Sequence, residues 1–206
     1  MDLYFKFLSL ALFLALLNSC GKDGGFAPGT GGGTSSGSNT KIIFLTATSL
    51  TDGNIGGKAG ADTVCQSDTN IPNSGVYRAL IVDDNRRACT TANCSGGAGE
   101  GLDWVLKANT TYTRSDNTII GTTNSAAIFS FPLTNSISTT ASVRVFTGLS
   151  IDWTTASQTC TNWTSNDSNS GGVYGDPTKV TSFAIGGGIS ICDGSGSDLR
   201  LYCVEQ

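Results

Sequence analysis

The stretch "GGKAGADTVCQSDTN" (56–70) decides how the rest of the chain is read. Its opening glycines close a loop, "TDGNIGGKAG" (51–60), rich in Gly and Asx turn formers. After the loop, Ala61, Val64 and Cys65 recur at i, i+3 and i+4, which puts them on one face of a short helix. On either side the pattern changes to strands. "KIIFLTAT" (41–48) is a β-branched and aromatic run, and "GVYRALIV" (75–82) supplies a second.

Further along, "CTTANCSGGAGEG" (89–101) is a loop whose cysteines are close enough to close a small ring. "LDWVL" (102–106) and "AAIFSF" (126–131) are short apolar segments bounded by turns, and "SVRVFTGL" (142–149) alternates as a strand does. "DWTTASQTCTNWTS" (152–165) suggests a second helix, capped by Asp152 or Thr154, with Ala156, Cys160 and Trp163 at i, i+4 and i+7. "VTSFAIG" and "LRLYCVE" read as closing strands. The expected fold class is therefore α+β.

Composition narrows the function classes. The 206 residues suit one domain with extensions, and only 14% are charged while 27 are Gly. Such a balance fits a turn-rich extracellular protein better than a helical cytosolic one. The formal net charge is −4 without a basic run, so the clustered cations that bind nucleic acid are missing. There is no histidine, which removes Ser-His and Cys-His activation and the commonest zinc ligand. Adjacent Asp83 and Asp84 would point to opposite faces of a strand and would not flank one substrate bond unless a loop turns them. The expectation is no enzyme, no cofactor and no metal site.

Seven cysteines cannot all pair with one another. Phe7–Leu17 is an apolar run behind Lys6, too short to span a bilayer comfortably, and Leu17-Asn18-Ser19-Cys20 follows it. This ending resembles the bacterial lipobox, which implies a signal peptide over 1–19 and lipid on Cys20. Several acyl chains on one residue would anchor stably where one is marginal. Residues 20–40 are Gly-, Ser- and Thr-rich and read as a tether, reaching roughly 25 Å, with the folded domain at 41–206. With Cys20 removed, six cysteines remain, an even set suited to an oxidising compartment. Spacing alone leaves fifteen connectivities open.

The order "GGKAGADTVCQ", "GVYRALIV", "DWVL", "IFSF", "CTNW" and "LYCVE" resembles endostatin, a variant of the C-type lectin-like fold. With the lipobox and tether included, the chain is more similar to the leptospiral endostatin-like surface lipoproteins. The resemblance implies a mixed, mostly antiparallel sheet with two helices, and disulfides Cys65–Cys203 and Cys160–Cys192. Cys89 and Cys94 have no endostatin counterpart and are assigned to a local bridge.

The zinc-binding histidines and heparin-binding arginine face of animal endostatin have no counterpart here. "NWTSNDSNS" (162–170) and "CDGSGSD" (192–198) lack the ligand spacing of calcium loops and read as Asx and Gly turns. Trp104, Trp153 and Trp163 read as packing groups rather than sugar platforms. The triple glycines at 31–33 and 186–188 are not phosphate loops, since no Lys-Ser/Thr follows.

The expected role is that of a lipid-anchored outer-membrane protein exposed at the cell surface. The resemblance implies host partners, namely extracellular-matrix proteins, complement regulators or plasminogen. On charge alone, Arg86, Arg87, Lys107 and Arg114 are the candidate contact residues, Arg86 and Arg87 being read as a solvated doublet. The alternatives are a periplasm-facing structural lipoprotein and a calcium-dependent carbohydrate binder.

Overall fold

The computed structural model describes residues 40–206. The signal segment 1–19, Cys20 and the tether up to residue 39 lie outside the described residues. In chain order the elements are β1 (Thr40–Leu45), α1 (Gly57–Ser67), β2 (Tyr77–Ala79), β3 (Thr111–Thr113), β4 (Ile119–Thr122) and β5 (Arg144–Phe146). They continue with α2 (Cys160–Trp163), β6 (Gly171–Gly175), β7 (Gly188–Ile191), β8 (Leu199–Arg200) and β9 (Tyr202–Glu205). The fold is α+β with two mixed sheets. One runs β2-β9-β1-β3-β4 and the other β7-β6-β5-β8. The β1–β3 and β5–β8 pairings are parallel and the remaining strand pairings antiparallel. No helix among the described residues is long and apolar enough to cross a membrane.

α1 forms where its apolar spacing places it, burying Ala61 and Cys65 against β2. Gly60 is required by sterics, because a Cβ there would overlap the Ile55 carbonyl as the chain enters the helix. At the other end Asp68 takes the C-cap position, and its carboxylate accepts from the amides of Ala47, Thr48 and Asn70. One buried carboxylate thus joins the end of the helix to the turn after β1.

Cys65–Cys203 and Cys160–Cys192, the pairs that the resemblance implied, are disulfides, and so is Cys89–Cys94, the expected local bridge. The first fastens α1 to β9, the second ties α2 to the segment after β7, and the third closes the loop ahead of Glu100. The two sheets are joined by the chain itself. Between β8 and β9, buried Leu201 donates its amide to Thr46 Oγ1, while the Thr46 amide donates to the Leu201 carbonyl.

Three segments depart from the sequence pattern. The second strand pairs only over Tyr77–Ala79, after which the Leu80 amide bonds Tyr202 O and the Val82 amide bonds Thr147 O. The chain is crossing from one sheet to the other there. "VTSFAIG" folds as a 3-10 turn over Ser182–Ala184, held by the Tyr202 hydroxyl on Ala184 O. The expected long second helix is a single turn, Cys160–Trp163, with positive φ at all four residues. Local sequence does not favour this conformation, since β-branched Thr161 is strained at positive φ.

The left-handed form costs about 1–2 kcal/mol per residue, so tertiary contacts have to hold it. Trp163 is fully buried and donates to Val82 O at 2.8 Å, Thr159 Oγ1 accepts from the Asn162 amide, and Cys160 is bonded to Cys192. The tryptophans are packing groups. Trp153 is buried against Phe129, Phe131 and Trp104, and Trp104 donates to Ala127 O.

Removing the Cys65–Cys203 bridge by Cys65→Ala/Cys203→Ala should lower the unfolding free energy by about 4 kcal/mol in denaturant titration, as closure of a long loop requires. Gly60→Ala should lower the thermal midpoint as well, with the disulfides intact by mass.

Candidate functional site

The four cationic residues singled out from the sequence do not assemble. Arg86 is fully buried, correcting its reading as half of a solvated doublet. Its Nη1 and Nη2 donate to the two oxygens of Asp62 at 2.8 and 2.7 Å, and Nη1 also donates to Ala79 O. Asp103 approaches the same guanidinium at 3.4 Å and receives Arg78 and Lys58 at 2.8 Å each. No macromolecular partner can reach Arg86 in this fold.

Arg87 is half-buried, with Nε donating to Glu100 O. Lys107 is exposed as a residue, and partial desolvation of its amine, followed by the like charges of Arg78 and Lys41, lowers its pKa. Arg114 lines a separate cleft of about 350 Å3 with Arg200, Asn70 and Asp116. Its own guanidinium is bonded to Ser136.

The ion-pair network shapes the titration of the domain. Burial raises the Asp62 pKa, but the Arg86 and Arg78 guanidiniums and the Ala79 amide outweigh it, so Asp62 stays below the ordinary 3.8. Asp68 is lowered in the same way, its three amide donors overcoming desolvation. Asp103 is held well below the usual carboxylate range, by Arg78 first. Glu100 is brought down to about 2 by donors from Thr91, then Thr90, in the loop of the Cys89–Cys94 bridge. That carboxylate accepts from both threonine hydroxyls, both threonine amides and the Gly96 amide.

The acidic residues once considered for calcium or catalysis have other employment. Asp167 closes a turn onto Asn169, Asp193 one onto Ser195, and Asp198 pairs with Arg200. Asp83 and Asp84 sit at a turn rather than in a strand: Asp83 is buried and accepts from the Asn85 amide, whereas Asp84 is exposed and accepts from Asn162 Nδ2. Among the described residues no group of three or more His, Cys, Asp or Glu is placed to hold a metal ion.

What the fold does assemble is a band of three adjoining clefts. The first is polar, about 380 Å3, and lies between Asp84, Gln158 and Asn162 beside the left-handed turn. Gln158 also lines the second, about 270 Å3, whose floor is Gly186–Gly188 and Val173 and whose walls include Ile151, Phe183 and Ile189. Ile151 in turn lines the third, about 370 Å3, with Phe129 and Phe131. Ile151 and Phe183 are each 53% exposed and Ile189 59%, which is unusual for such side chains gathered in one place. No Lys or Arg lines any of the three clefts.

Charge-based reasoning on the sequence missed this band. The available signal was the uncharged run "VTSFAIGGGISIC" (180–192), where isoleucines alternate behind three glycines.

A family model described as a protein of unknown function, DUF1554, matches residues 48–180. No curated protein is significantly similar in sequence.

Because the depressed carboxylates stabilise the folded form when ionised, their contribution is complete above the ordinary values of 3.8 and 4.5. It is lost as pH falls through the lower folded values. Urea midpoints should therefore hold steady down to about pH 4.5 and decline below it, and NMR titration should place Glu100 near 2. Arg86→Ala leaves Asp62 without its main partner and should destabilise the domain by about 3–5 kcal/mol in urea. Lys107→Ala, at an exposed site, should change stability by less than about 0.5 kcal/mol.

Proposed function

The chain belongs to the DUF1554 family, and we propose that this member is a lipid-anchored surface protein that binds host proteins. The reading rests on one observation, the band of clefts centred on exposed Ile151, Phe183 and Ile189. Apolar side chains left in water at this density mark a surface that a protein partner covers. The domain beneath it is stapled by three disulfides, as suits a module working outside the cytoplasm.

We assign the fold to the C-type lectin-like class in its endostatin-like form, supported by the α+β layout and the cysteine pairing. The lipobox ending at Cys20 supports export and acylation, and residues 20–40 serve as the tether that carries the domain off the membrane. Extracellular-matrix proteins, complement regulators and plasminogen are the partners that the leptospiral resemblance favours. Arg86 is withdrawn from the contact surface, and Arg87, Lys107 and Arg114 lie outside the clefts that form the band.

The test is direct binding of the full chain, in detergent, to laminin, factor H and plasminogen at physiological salt. Saturable binding to at least one is expected, weakened about tenfold or more by Phe183→Asp or Ile151→Asp at unchanged thermal midpoint. No saturable binding to any of the three would overturn the proposal. Separately, intact mass should show a mature chain that begins at an acylated Cys20, and Cys20→Ser should release the protein from the membrane fraction. An unmodified Cys20 would remove the anchor from the proposal.

A further inference from the structure

β1 keeps its parallel partner only as far as Ile42↔Thr113, and from Ile43 to Leu45 it pairs with β9 alone. Where β3 has left it, the cleft of about 350 Å3 lined by Arg114 and Arg200 opens. This cleft shares no lining residue with the three that form the apolar band. Ile43, Phe44, Leu45 and Ile137 border it, but their side chains are packed into the core, so a ligand meets little apolar surface there. The rest of the lining is polar, with Asn70, Ser115, Asp116 and the run from Ser138 to Thr140. Asn70 spends Nδ2 on Leu45 O, which leaves Oδ1 as an acceptor. The Ser115 and Thr139 hydroxyls have no protein partner among the described residues.

The two arginines of the cleft are differently committed. Arg200 is neutralised, since Nε and Nη2 take both oxygens of Asp198 at 3.0 and 2.8 Å and Nη1 takes Thr46 O. Arg114 enters no ion pair among the described residues. Its Nε and Nη2 donate to the carbonyl and hydroxyl of Ser136 at 2.8 and 2.7 Å, which fixes the plane of the guanidinium. Nη1 has no partner among the described residues, so the outer fork of Nη1 and Nη2 stays open. Asp116 brings one negative charge to the same cleft, its Oδ1 accepting from the Thr118 amide.

We infer that this cleft binds an acidic sugar, with the carboxylate on the outer fork of Arg114 and the hydroxyls on Asn70, Ser115 and Thr139. The inference goes beyond the binding role proposed above and does not rest on it. Charge, donors and lining together select the ligand. One planar guanidinium, oriented in advance and without a counter-ion, matches one carboxylate through two parallel hydrogen bonds. A phosphate dianion would lack a second uncommitted cation and would face Asp116, and a sulfate's three charged oxygens call for more donors than the open fork supplies. The scarcity of apolar surface argues against a peptide end, whose side chain would need a pocket, and the hydroxyl and amide lining suits a ligand that is polar all round. The volume lies in the range of small-ligand sites.

The probes are the methyl glycosides of D-glucuronic acid and N-acetylneuraminic acid, titrated into the isotope-labelled full chain in detergent and followed by NMR at the Ser115 and Thr139 amides. Saturable binding of at least one is expected, weakened about tenfold or more by esterifying its carboxylate or by Arg114→Gln. Asp116→Asn keeps the bond to Thr118 through its Oδ1 and removes the opposing charge, so it should strengthen binding about twofold to fivefold. Phe183→Asp should leave sugar binding unchanged; a loss there would put the sugar in the apolar band and refute the inference. It is overturned if neither sugar acid binds saturably, or if the esters or folded Arg114→Gln bind as the parents do. Acetyl-glycyl-glycine binding as tightly would make this a site for a chain terminus, and glucose 6-sulfate binding more tightly would make it a sulfate site; either result also refutes it. Should Arg114→Gln fail to fold, the esters and Asp116→Asn decide.

Discussion

A single fully buried guanidinium holds the centre of this domain together. Arg86 reaches α1 through both oxygens of Asp62, the end of β2 through Ala79 O, and the segment after the Cys89–Cys94 loop through Asp103. Three pieces of chain that are far apart in sequence therefore share one charge. An unpaired guanidinium could not be taken from water at this depth, so the carboxylates must be in place whenever Arg86 is. The network extends outward through Arg78 and Lys58, which both bond Asp103. The basic doublet in the sequence is thus mainly a fastening, and its neighbour Arg87 braces the adjacent loop through Glu100 O.

Around that centre the fold is made of short elements that would not be stable alone. α1 runs for 11 residues, near the length at which isolated helices are marginal, and several strands span 3 residues or fewer. The domain compensates with covalent and polar ties between elements. Cys65–Cys203 joins helix to strand, Thr46 and Leu201 join the two sheets, and Asp68 caps one element while seating another. The left-handed turn at Cys160–Trp163 is affordable only in this setting. Buried Trp163 and the Cys160–Cys192 bond hold a conformation that its residues would leave if free. That turn projects Thr161 and Asn162 into the polar end of the cleft band.

The surface shows where local pattern and function separate. Charge was the visible signal for a contact region, yet a buried arginine and an exposed one look alike as letters. Arg86 is held inside by both oxygens of Asp62 and by Asp103 beside it, whereas Lys107 stays exposed. The apolar band is assembled from Ile151 on one stretch of chain and Phe183 and Ile189 on another. Each is an ordinary isolated hydrophobic residue in sequence, and only their meeting over Gly186–Gly188 makes a cleft. The open edge of β7 is similarly invisible from "GISI", because an edge strand differs from a central one only by what lies beside it.

What the sequence by itself determined are the features with short-range causes. β1 follows from a β-branched run, α1 from apolar spacing at i, i+3 and i+4, and the Asx turns at Asp167 and Asp193 from side chains that bond their own backbone. The absence of histidine and the even set of cysteines beyond residue 60 also belong to the sequence alone. Tertiary structure decided the rest: that "VTSFAIG" turns, that "CTNW" winds left-handed, that Arg86 is inside and Phe183 outside. In each of these the local preference is weak or opposed, and the outcome is settled by partners many residues away. The Tyr202 hydroxyl, the Val82 carbonyl and the Asp62 carboxylate that hold them come from other stretches of the chain.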